Sequence, residues 1–169
     1  MSGAVCRGVF ELAFQPRKTF GKQEGKEESK RISPQEVIQA RKTLEPALAH
    51  QTALNGNGEQ IETLHRIAAG LRRAATWRAY ETLDNSFHHT IAECTQNTPL
   101  LAMFDQLNAM RRAVVWGRLR AKFDVPPVDH HSFAEHDAIL AAVEDRDGAA
   151  ARDAMLAHLV PVRSALFGG

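Results

Sequence analysis

An all-α fold, an antiparallel bundle of about six helices with a short irregular N-terminal segment, follows from three observations. Apolar residues recur at helical spacing from residue 33 onward. Strong helix starts and stops punctuate that stretch at short intervals. Strand-like alternation is absent from it. The chain has 169 residues, 44% of them hydrophobic and 24% charged, which is one domain's worth of ordinary globular sequence. A domain of this size builds a core without disulfide or metal staples.

The elements follow in order. Residues 1–32 hold a short β-prone piece, Val9 to Phe14, and then a polar, lysine-rich linker from residue 15. The first helix opens at Ser33-Pro34-Gln35-Glu36. Ser33 caps, Pro34 suits the first helical position and Glu36 completes a capping box. Asn55-Gly56-Asn57-Gly58 ends it. A second helix is expected over about 59–75 and a third over about 77–96. Thr98-Pro99 is expected to cap a fourth reaching about Phe123, and Val125-Pro126-Pro127 breaks the chain. A fifth spans about 130–145. Asp147-Gly148 starts a sixth running to about Leu166. Residues 33–169 thus form the helical domain, and residues 1–32 stand apart from it.

Composition excludes several classes. No run of 18 apolar residues exists, so no transmembrane helix is expected. No secretory signal pattern opens the chain, and Cys6 and Cys94 form no CxxC pair, so a cytoplasmic protein is expected. Residues 1–32 carry seven Lys/Arg against four Asp/Glu, and the remainder carries 14 against 16. The helical part is slightly acidic, unlike a domain that grips DNA by itself.

The chemistry lies on the apolar stripes. Tyr80, Leu83, Asp84, Phe87, His88 and Ile91 share one face of the third helix, with Asp84 and His88 four apart. His136 lies on the stripe of Phe133, Leu140 and Val143, with Ile139 alongside. His158 lies on that of Ala151, Met155, Val162 and Leu166. A lone histidine on such a face is usually a hydrogen-bonded core residue. Three helices aiming histidines inward, one with an aspartate beside it, suit a divalent metal. On the first helix Arg41 shares the stripe of Val37, Leu44 and Leu48. It points inward, one turn from Glu45, with which it can pair. Arg111, beside Phe104, Leu107 and Val114, is a second basic candidate.

The same residues carry a family resemblance. Leu83-Asp84-Asn85-Ser86-Phe87-His88-His89-Thr90-Ile91-Ala92, followed by Asn97, resembles the D-x-x-F-H-x-x-I-A…N signature of the FCD domain. That is the effector-binding C-terminal domain of the FadR subfamily of GntR transcription regulators. Ala40-Arg41-Lys42-Thr43-Leu44-Glu45-Pro46 is similar to the family's A-R-x-x-L-E-P entry helix. Glu135 to Ile139, Asp145 to Ala151 and His158-Leu159 continue the match in order, over about residues 33–167.

The resemblance implies a helical bundle with one divalent transition metal at its centre, zinc first, with nickel, iron or manganese as alternatives. Its ligands would be Asp84, His88, His136 and His158. The implied effector is a small carboxylate, its free charge met by Arg41 or Arg111. The implied state is a homodimer that is not an enzyme and carries no catalytic residue. DNA would be contacted only through a winged helix-turn-helix, which is not expected within this chain. Arg7-Gly8-Val9-Phe10 resembles the tail of its wing.

Two other functions compete. His136-Asp137 is an HD dipeptide, as in HD-type metal-dependent phosphohydrolases, which would need Asp137 as a ligand. A metal-free dimerisation domain would use the histidines as core residues only. Among the remaining residues, His89 is expected to face out, His130 and His131 to cap a helix or meet solvent, and His50 and His65 to lie at the surface. Trp77 and Trp116 are expected to pack, and Cys94 to fill the core.

Overall fold

A computed structural model describes residues 32–115, 126, 127 and 129–160. Among the described residues lie six helices: α1 Pro34–Asn55, α2 Gly58–Leu71, α3 Trp77–Cys94, α4 Thr98–Val115, α5 Ser132–Glu144 and α6 Gly148–Leu159. The expected extensions of α4 to Phe123 and α6 to Leu166, the β-prone Val9–Phe14, the wing-like Arg7–Phe10 and Trp116 lie outside the described residues.

Local chemistry accounts for most boundaries. Ser33 and Glu36 form the expected reciprocal capping box on α1, with Pro34 in its first turn. Asn57 and Gln60 build a second box on α2. Thr76 caps α3 and Asp147 caps α6. On α4 the cap is Asn97, whose Oδ1 accepts from the Leu100 N–H, and not Thr98. α2 stops at Leu71, four residues short of expectation. Arg72 leaves the helix to reach the Phe133 carbonyl and Asp137. α5 starts at Ser132 and not at 130. His130 turns its ring onto Trp77, Tyr80 and Phe133 instead of capping. His131 occupies the cap position and makes no side-chain cap bond.

α1 is the central helix. It packs against α3, α4, α5 and α6, and most extensively against α6. Its buried residues, Val37, Ile38, Arg41, Glu45, Leu48, Ala49, Thr52 and Ala53 among them, therefore spread around the helix. α2 pairs with α3 and α5. The main core centres on Leu48, Leu64, Phe87, Ile91, Ile139 and Met155. Cys94 is fully buried in it, as expected of a small core residue.

Among the described residues, two non-glycine residues have left-handed backbone, Gln96 at φ 53° and Arg146 at φ 59°. Each follows a helix end, where glycine is the usual occupant. Both side chains reach the C-terminal end of α1. Arg146 Nη1 donates to the carbonyls of Ala53 at 3.2 Å and Gly56 at 2.5 Å, and Gln96 Nε2 donates to that of Asn55 at 2.9 Å. Carbonyls that have no partner within α1 are satisfied from neighbouring turns.

Candidate metal centre

The four residues of the sequence stripes meet at one point. α3 presents Asp84 and His88 one turn apart, α5 presents His136 and α6 presents His158. One ligand atom from each lies within 4.8 Å of all the others. The Nε2 atoms of His88 and His158 are 3.2 Å apart. Asp84 Oδ1 lies 3.4 Å from His136 Nε2 and 3.8 Å from His88 Nε2. Tetrahedral ligands at zinc distances sit about 3.3 Å from one another, so these separations fit one ion. The three histidines are buried and Asp84 is nearly so.

The polar atoms also point to a missing partner. Both ring nitrogens of His136 are buried without a hydrogen bond, which is costly for a satisfied core histidine. Burial pulls the His88 imidazole down to about 4, against the pull of Glu45 and Asp84, so it is neutral at pH 7. Burial pushes the Asp84 carboxyl up. The adjacent His136 and His88 and then Arg111 outweigh it and hold Asp84 well below the usual carboxylate range. Three imidazoles and one carboxylate form a donor set for a divalent transition metal.

A second layer of carboxylates stands behind this set. Glu45 Oε2 lies 2.7 Å from His88 Nδ1, short but poorly aligned with the ring N–H. Glu135 Oε2 lies 2.8 Å from His158 Nδ1. Neither carboxylate was singled out as a site residue from sequence. Each sits within a motif that the family resemblance quotes, which was the signal available.

The two arginines differ. Arg41 is buried and donates to Glu45 through Nε at 2.5 Å and Nη2 at 3.2 Å, so its charge is matched within α1. Arg111 is partly buried. It donates to the side-chain oxygens of Asn108 and Asn85, at 3.1 and 2.9 Å, and approaches Asp84 Oδ2 only to 4.0 Å.

The other histidines lie elsewhere. His89 faces outward between Glu93 and Asp105. His65 is exposed and pairs with Glu144. His50 is half-buried against Gly148 of α6, a closer packing than the surface position expected. Asp137 is exposed and paired with Arg72, directed away from His136's partners, which disfavours an HD-type site.

Comparison with known proteins bears on the family and the fold. Residues 36–160 match the FCD domain family model. The chain is 30% identical over 138 residues to a Uxu operon regulator of Haemophilus influenzae, covering 80% of this chain and 52% of that protein. It is 32% identical over 138 residues to the Uxu operon transcriptional regulator of Escherichia coli, covering 79% and 54%. It is 30% identical over 161 residues to the Exu regulon transcriptional regulator of E. coli, covering 95% and 61%. The chain thus spans little more than half the length of these curated relatives. Among solved structures, Streptococcus agalactiae GntR superposes with a TM-score of 0.62 at 22% identity, over 80% of this chain and 59% of that one. E. coli McbR/YncC superposes at 0.70 and 16%, over 88% and 70%. These two structures share the fold. With the family model covering most of the helical bundle, the chain belongs to the FCD domain family.

Proposed function

We propose that this domain senses a small organic acid at a divalent metal held by Asp84, His88, His136 and His158, as the effector-binding part of a GntR-type transcription regulator. The observation that carries the reading is the convergence of these four ligand atoms around the unpartnered nitrogens of His136. Zinc is the first choice of metal, with nickel, iron or manganese as alternatives. A metal bound there would supply a positive centre for a carboxylate. Arg111 is the residue we assign to the acid's remaining charge, because its own partners are two neutral amides and a distant Asp84. Glu45 already matches the charge of Arg41.

The relatives named above regulate the Uxu operon and the Exu regulon, which supports a regulatory and non-catalytic role here. The reading includes a cytoplasmic homodimer. DNA contact belongs to the winged helix-turn-helix of full-length regulators. No described helix is long and apolar enough to cross a membrane. Acid binding would act by favouring one packing of the bundle over another.

The test is calorimetric titration of zinc-loaded protein with a panel of sugar acids and hydroxy acids, each beside its neutral alcohol analogue. At least one acid binds and its alcohol does not. Arg111→Ala weakens that acid about tenfold or more and leaves metal content unchanged. Acid binding that is indifferent to both zinc and Arg111 contradicts the reading.

A further inference from the structure

The metal ligands differ in what lies behind them. Glu135 of α5 lies in hydrogen-bond contact with Nδ1 of His158 at 2.8 Å, and Glu45 of α1 stands 2.7 Å from Nδ1 of His88, close enough to act on it by charge though not aligned as a hydrogen bond. His136 has its one carboxylate contact at Nε2, to Asp84, and no hydrogen-bond partner at Nδ1. A neutral imidazole carries one proton. A carboxylate at Nδ1 draws that proton to Nδ1 and leaves Nε2 as a lone pair. The two lone pairs so created would face one another across the 3.2 Å between the Nε2 atoms of His88 and His158. In the metal-free protein the two carboxylates hold that contact against the alternative Nε2–H···Nε2 hydrogen bond, and a shared cation makes it favourable. Glu45 is itself held by the bidentate fork of Arg41. An ordered line therefore runs from Arg41 through Glu45 to His88, from the central helix to the site.

We infer that Glu45 and Glu135 are positioning residues of the metal centre, fixing His88 and His158 in the Nδ1–H tautomer so that both Nε2 atoms point at the ion. This rests on the metal reading above and extends it to residues that touch no metal. The line also has a consequence for output. α1 is the helix that follows residues 1–33, and it contributes no metal ligand. Glu45 is a polar contact between α1 and the ligand set, and through it the state of the site reaches α1.

The tests are metal affinity and histidine tautomer, read on the full chain. Zinc affinity is measured by competition with a chromophoric chelator. Tautomers are read from imidazole nitrogen chemical shifts in ¹⁵N-histidine protein, with and without zinc. In the wild type, His88 and His158 are expected in the Nδ1–H form. Glu135→Ala is expected to weaken zinc about 10- to 100-fold and to release the tautomer preference of His158 while leaving that of His88. Glu135→Gln, which keeps an acceptor oxygen, is expected to recover part of the affinity. Glu45→Gln is combined with Arg41→Met, so that no buried guanidinium is left uncompensated. It is expected to release His88 and leave His158.

Unchanged zinc affinity in Glu135→Ala, or Nε2–H rings at positions 88 and 158 in the wild type, overturns the inference. A wild-type protein that takes up no zinc overturns the metal reading itself. The tautomers distinguish the two failures, because they are read without zinc.

Discussion

Asp84 shows how one side chain is read from several sides. Its Oδ1 faces His136 and His88, and its Oδ2 faces Arg111 across 4.0 Å. A carboxylate four residues from a histidine on an apolar stripe was legible in the sequence, because burial demands a partner. Glu45 and Glu135 were not legible as site residues. A glutamate one turn from an arginine reads as an ordinary helix pair, and Glu135 reads as a first-turn acid. Their approach to Nδ1 atoms on other helices is set by tertiary packing. Two predictions belong at this scale. Asp137→Ala should leave metal content unchanged in elemental analysis, since Asp137 is exposed and paired with Arg72. Cys94 is fully buried, and burial pushes its thiol up to about 11, with Glu93 adding to the rise. It should resist iodoacetamide at pH 8 in folded protein and react on denaturation, as read by mass spectrometry of the Cys94 peptide.

Among the helices, boundaries marked by capping chemistry were legible and those set by long-range contacts were not. Ser33, Asp147 and the Asn-Gly-Asn-Gly turn all act as the sequence suggested. Arg72 and His130 do not, because each leaves its expected helix for partners 61 residues away or across an aromatic cluster. The α1–α6 seam offers a sharp test. A Cβ on Gly148 would lie 2.7 Å from His50 Nδ1, so Gly148→Ala should cost roughly 1–3 kcal/mol in urea unfolding by overpacking. Arg146 combines a left-handed backbone with two bonds to the end of α1. Arg146→Ala keeps the strain and loses the bonds, so it should cost about 2 kcal/mol. Arg146→Gly should be the less damaging of the two by about 1 kcal/mol, because glycine relaxes the backbone.

For the whole molecule, the metal would join α3, α5 and α6; α5 packs on α6, and α3 reaches α5 through side chains such as the Tyr80–Ser132 hydrogen bond and the Phe87–His136 ring contact. Binding to the folded state alone should stabilise it by about 4 kcal/mol at a thousandfold excess over the dissociation constant. For a chain of this size that is roughly 8–16 °C in Tm, reversed by a chelator and absent in His136→Ala. The central claim is the four-residue metal centre. Its most direct test is elemental analysis of protein purified without chelator or a nickel column. The wild type and single alanine variants at Asp84, His88, His136 and His158 would be measured side by side. The account predicts about one zinc, nickel, iron or manganese per wild-type chain and a marked loss in each variant. A wild type that holds no metal and takes none up on titration, or four variants that retain it, would contradict the account.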